Sequence, residues 1–300
     1  MKPNHILFVP GKNPKPPAGH HRGLLWRCLL RGVELHDAAG AAELAGNSDH
    51  FHIIPWNGIY YHKVKQMEDD LPWIEALIRK SGPSPEDIRA VHAWRTKLAW
   101  LIYTLADLFP FLIPLTPDPA VKSTIEETRD YFENRDNIGC QVRELLKAPL
   151  RRIFADGERV LLISHSMGSV IAYDALWELW HEEKLHGHVD LFLTLGSPLG
   201  MRFVQKRLIG FRNHGNRRFP GNIRRWYNVA AEGDLTALDP EVHDDFKPMV
   251  DLGLTESIHD KHDGIHTYFR NDSGLNAHRS YGYLVHPQVG KIIAHWWQGG

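Results

Sequence analysis

Residues 159–176 read RVLLISHSMGSVIAYDAL, and the architecture of the whole chain can be built from this segment. Val160, Leu161, Leu162 and Ile163 form an apolar run that stops at Ser164-His165-Ser166-Met167-Gly168. Val170, Ile171, Tyr173, Ala175 and Leu176 follow at helical spacing. A short apolar run closed by small residues and then a helical period predicts strand, tight turn, helix. A serine at the apex of such a turn is pushed clear of the sheet. Its flanking positions must be small, because strand and helix backbones nearly touch there. That is the physical content of the G-x-S-x-G nucleophile elbow. Here the pattern is S-x-S-x-G, with Ser164 keeping the first position small. A buried strand followed by an unremarkable helix is the plainer reading, and residues elsewhere in the chain decide against it.

Toward the N-terminus, residues 6–9 (ILFV) read as a buried strand, broken by Pro10-Gly11-Lys12-Asn13-Pro14-Lys15-Pro16-Pro17. A loop so rich in proline is stiff and has few backbone donors, so the amides of Gly11, Lys12 and Asn13 stand out. Leu24, Leu25, Cys28, Leu29 and Val33 predict a helix over 21–42, and a second strand is expected over 51–55. Strand, helix, strand opens a parallel sheet with crossover helices. Toward the C-terminus, Ile138, Val142, Leu145, Leu146, Leu150 and Ile153 share one helical face. Strands are expected over 191–195, 226–230 and 266–269. A closing helix begins at Pro287, with Val289, Ile292, Ile293, Trp296 and Trp297 on its inner face. The expected fold class is α/β: a mostly parallel central sheet with helices on both faces, forming one domain over 1–300.

Residues 60–135 break the alternation and read as a helical insertion or cap. Within them, Ser81-Gly82-Pro83-Ser84-Pro85-Glu86-Asp87 reads as a loop ending in a helix start. Residues 98–115 (LAWLIYTLADLFPFLIPL) are the most apolar part of the chain, but Asp107, Pro110 and Pro114 argue against a simple membrane span. This run is expected either to bury against the main domain or to act as a mobile cap. As a cap it would line an acyl pocket or make peripheral contact with a membrane surface.

Charge excludes some partners. Thirty-five basic residues against 36 acidic ones leave no field that favours nucleic acid. The 200–224 stretch, with several arginines and glycines, reads as a solvated loop, and without a net basic domain no nucleic-acid binding is expected of it. Cys28 and Cys140 are the only cysteines and make no disulfide framework, and residues 6–9 are too short an apolar run for a signal peptide. An intracellular, cytoplasmic protein is expected. His259, Asp260, His262, Asp263 and His266 bear on metal binding, but no helical period surrounds them, so a solvated loop is expected and no metal.

A serine hydroxyl is a weak nucleophile, so it needs a base to take its proton and a third group to orient that base. In sheets of this kind reactive groups collect at the carboxyl ends of strands. Asp234 lies just after the strand over 226–230. His278 lies in the loop Asn276-Ala277-His278-Arg279-Ser280-Tyr281, ahead of the last helix. The order Ser166, Asp234, His278 is that of a serine–acid–histidine set on successive strands. Glu232 and Asp239 compete as the acid; His243, His259, His262, His266 and His286 compete as the base. For a developing oxyanion, the Met167 amide is one donor, and Gly11 or Lys12 would supply the second. His165 is expected to pack or hydrogen-bond within the elbow.

With these residues in hand, the chain resembles the α/β-hydrolase superfamily in its lipase- and esterase-like branch. The resemblance rests on Ile163-Ser164-His165-Ser166-Met167-Gly168, Thr194-Leu195-Gly196-Ser197-Pro198-Leu199, Glu232-Gly233-Asp234 and Ala277-His278-Arg279-Ser280-Tyr281. Residues 6–11 look like that family's first-strand oxyanion loop, with Pro10 where a histidine often stands. The resemblance covers most of the chain outside 60–135 and 200–222. It implies hydrolysis of an acyl bond through a serine acyl-enzyme, without metal or organic cofactor. Together with the apolar insertion, it leads us to expect a small-molecule ester or lipid-like substrate. A thioesterase, an amidase, an acyltransferase and a catalytically silent lipid- or partner-binding protein are the alternatives on the same fold.

Overall fold

Asn4–Val9 (β1), Phe51–Ile53 (β2), Arg159–His165 (β3), Val189–Leu195 (β4), Ile223–Val229 (β5) and Ser257–Lys261 (β6) pair into one sheet. All five pairings are parallel, in the order β2-β1-β3-β4-β5-β6. The computed structural model describes residues 3–61, 65–66, 69–92 and 130–300. Along the chain the helices are α1 (Ala18–Glu34), α2 (Ala38–Ala45), α3 (Asn57–Tyr60), α4 (Leu71–Ile78), α5 (Pro85–Val91) and α6 (Ile138–Asp156). After them come α7 (Met167–His181), α8 (Arg202–Gln205), α9 (Val242–Asp251), α10 (Ser280–Leu284) and α11 (Pro287–Trp297).

A parallel sheet covered on both faces needs strands that are apolar on both sides, as the central β1, β3 and β4 are. Ile6, Phe8, Leu161, Ile163, Leu191 and Leu193 point to one face, where α1, α2, α4, α10 and α11 complete the core. Leu7, Val9, Val160, Leu162, Phe192 and Trp226 point to the other, against α6, α7 and α9. Right-handed crossovers explain this division. The chain leaves β1 toward β2 with its helices on the first face. It then returns past β1 to β3 and runs outward through β4, β5 and β6 with its large helices on the second. Adjacent β1 and β3 thus send their connections in opposite directions, which opens a crevice at their carboxyl ends.

Three expectations are corrected. The helix over 21–42 is two helices, because the Asp37 carboxylate accepts the Gly40 N–H at 3.0 Å and starts α2 afresh. Residues 266–269 are not a strand. Tyr268 and Phe269 are buried in the first core, so their apolar character serves packing rather than pairing. The sixth strand is β6, in part of the segment expected to be a loop, and it is an edge strand in which only Ile258 is buried.

Within 60–135, α4 packs Ile74 and Leu77 into the first core, and α5 opens on a reciprocal capping box between Ser84 and Asp87. The run 98–115 lies outside the described residues. No helix among the described residues is long and apolar enough to cross a membrane.

Candidate active site

The turn after β3 is made by Ser166, whose backbone sits at φ 56° and ψ −130°, a region that costs a non-glycine residue about 1–3 kcal/mol. Close packing holds it there. A Cβ on Gly168 would lie 2.4 Å from the Val9 carbonyl oxygen and 2.7 Å from that of Pro10. A Cβ on Gly11 would lie 2.8 Å from Cβ of Ser166. The end of β1, its loop and the start of α7 therefore meet backbone to backbone around the serine. Ser164, in the first small position of the elbow, is completely buried opposite Val9 of β1.

The structure brings Ser166, His278 and Asp234 together. His278 Nε2 lies 2.9 Å from Ser166 Oγ, and His278 Nδ1 lies 2.9 Å from Asp234 Oδ2. Asp234 occupies the turn after β5, where its Oδ1 accepts the Thr236 N–H at 2.8 Å. Its other oxygen also accepts the Tyr283 hydroxyl at 2.6 Å, and the Tyr283 oxygen accepts the Ala231 N–H at 2.8 Å. Burial pushes the Asp234 carboxyl up, but the His278 imidazole and the three hydrogen bonds outweigh it and hold the group at about 2. The acid is thus an ionised carboxylate fixed on both oxygens.

His165 meets the expectation for the elbow. Its Nε2 is 2.7 Å from the His278 carbonyl, and the two imidazole rings stack at a tilt with centroids 4.6 Å apart. Burial, then the neighbouring His278, lowers its pKa well below the ordinary histidine value, so the ring is neutral and Nε2–H donates to that carbonyl. Tyr283 was not singled out in the sequence. A tyrosine in a short apolar helix reads as core, and only its hydroxyl's position gives it away.

The rival residues have other partners. Glu232 accepts the Gly264 N–H and faces His266 at 3.5 Å, and Asp239 accepts the Glu241 N–H. His243 pairs with Asp244, His259 packs against Tyr227, and His262 faces Glu241. His286 caps α11 by accepting the Gln288 N–H.

A cavity of about 240 Å³ opens over Ser166. Met167, Pro198, Met201, Phe203, Val204 and Leu235 give it apolar lining, and Gly11, Lys12, Lys15 and Arg279 also face it. Met167 is the first residue of α7, so its amide is among those that no helical carbonyl can satisfy. Gly11 abuts Ser166 from the other side, which places both expected donor segments beside the hydroxyl. Such an arrangement can deprotonate a serine, hold the resulting imidazolium and offer amides to a developing negative charge.

Comparison with protein families, with characterised proteins and with solved structures finds no match for this chain. Its function has to be read from this geometry.

Proposed function

We propose that the protein is a serine hydrolase of the α/β-hydrolase type that cleaves a carboxylic ester with a hydrophobic part. One observation carries the reading: the unbroken hydrogen-bond chain from Ser166 Oγ through His278 to the buried Asp234. Ser166 Oγ attacks the ester carbonyl carbon while His278 Nε2 takes its proton. Asp234 orients the ring through Nδ1 and stabilises the imidazolium. The tetrahedral oxyanion is met by the Met167 amide and by a second from Gly11 or Lys12. Collapse breaks the bond to the alcohol oxygen, which leaves with the proton from Nε2. Water then attacks the acyl-serine, giving its proton to His278, and that proton returns to Ser166 Oγ as the acid departs. The apolar lining by Pro198, Met201, Phe203, Val204 and Leu235 supports a hydrophobic acyl or alcohol group.

Hydrolysis of para-nitrophenyl esters, from acetate to decanoate, tests this in the wild type and in Ser166→Ala. We expect turnover in the wild type, highest for a medium or long chain, with a loss of roughly 10³-fold or more in the variant. Equal turnover by Ser166→Ala would overturn the assignment. A wild type fastest on acetate would remove the hydrophobic pocket but keep the chemistry.

A further inference from the structure

The apolar lining accounts for only part of the cavity over Ser166. Two segments bring cations to the rest: the loop after β1 contributes Lys12 and Lys15, and Arg279 follows His278 directly in sequence. Lys15 Nζ donates to the Lys12 carbonyl at 2.8 Å, which draws its ammonium back along the loop. The Arg279 guanidinium lies over the rings of Phe269 and Tyr281, 5.7 and 5.5 Å from their centroids, and is thereby fixed in orientation. Behind this wall one buried carboxylate, Asp70, pairs with Arg279 and also accepts Lys65 Nζ at 2.8 Å. Among the described residues Asp70 thus answers two cations directly, while a third, Lys15, stands nearby. Arg279 Nε is buried and has no hydrogen-bond partner among the described residues.

The imbalance is felt by the groups themselves. Burial and the charge of Arg279 push the Lys15 ammonium down to about 7, against the opposing pull of Asp70. An anion seated among these cations would relieve their mutual repulsion.

Resting on ester hydrolysis at Ser166, we infer that the substrate carries an anionic group, a carboxylate or a phosphate, that seats on Lys15 and Arg279 while its apolar part lies along Met201, Phe203 and Leu235. The Arg279 N–H groups that Asp70 does not hold can donate to such a group, and Lys15 adds a point charge once the anion's approach favours its protonated form. The position of Arg279, next to the catalytic histidine in sequence, ties the anion's place to that of the scissile bond. The two sides of the cavity then select for an amphiphilic ester over a purely apolar one.

Three para-nitrophenyl esters of matched chain length test this: the neutral pentanoate, the glutarate monoester with a terminal carboxylate, and an analogue with a terminal phosphate. We expect one or both anionic esters to exceed the neutral one by about tenfold or more in kcat/KM, mostly through KM, which corresponds to about 1.4 kcal/mol. Whichever anion is preferred identifies the group. The preference should shrink as salt is raised, since part of it is Coulombic. In Lys15→Gln and in Arg279→Gln, each read as the ratio of anionic to neutral turnover, it should fall to within about twofold of unity. Should one variant fail to fold, the other variant and the salt series still decide the matter. Turnover of the neutral ester with no preference for either anion would overturn the inference and leave the hydrolase reading intact. If none of the three esters is hydrolysed, both fall.

Discussion

Replacing Tyr283 with Phe removes one oxygen from the network that fixes the acid. The Tyr283 ring is completely buried, and Phe fills the same space, so little cavity is created. Two hydrogen bonds disappear: the 2.6 Å donation to Asp234 Oδ2 and the 2.8 Å acceptance from the Ala231 N–H. A hydrogen bond to a charged group contributes about 1.5–3 kcal/mol, and a buried amide left unpaired costs about 1–3 kcal/mol. These overlap, so we expect a net loss of about 2–4 kcal/mol in urea unfolding followed by tryptophan fluorescence. Asp234 keeps its contacts to His278 and Thr236 but loses the second of the two partners that hold Oδ2. Turnover should then fall by roughly tenfold with KM nearly unchanged, because the histidine is less well held as charge develops on it. A variant as stable and as active as the wild type would mean that Tyr283 is a packing residue only.

Other perturbations follow from the same contacts. Gly168→Val puts a side chain where two backbone carbonyls stand 2.4 and 2.7 Å away; neither can swing aside, and we expect a loss of about 1–3 kcal/mol in thermal or urea unfolding, with an unchanged midpoint as the contrary result. His165→Leu removes the donor to the His278 carbonyl and the ring against which His278 rests, and kcat should drop by roughly tenfold; an unaltered kcat would confine His165 to packing. Asp234 titrates at about 2 when folded against 3.8 ordinarily, so its stabilisation, about 2 kcal/mol, is complete above about pH 4 and is lost as pH falls toward 2. Urea unfolding between pH 5 and pH 2 should show that acid-side loss in the wild type and a shallower one in Asp234→Asn.

The strands that carry the site could be read directly from residues, because β1, β3 and β4 are buried on both faces and so appear as unbroken apolar runs. Asp234 and His278 could be located by position, each in a loop ahead of or behind a recognisable element. β6 was obscured for a physical reason: an edge strand with one buried side chain has little hydrophobic signature, while the buried coil at 266–269 has a strong one. The break between α1 and α2 depends on a single capping carboxylate, Asp37, within a stretch whose apolar residues continue on both sides. Tyr283 reaches Asp234 across 49 residues and Arg279 reaches Asp70 across 209, so no local pattern announces either contact. What residues 98–115 contribute lies outside the described residues.

The proposed role of Ser166 as nucleophile is tested most directly with a fluorophosphonate probe followed by peptide mapping. Stoichiometric labelling of the wild type on the peptide containing Ser166, abolished in Ser166→Ala and strongly slowed in His278→Ala, is the predicted result. An unlabelled wild type, or a label that persists in Ser166→Ala, would contradict it.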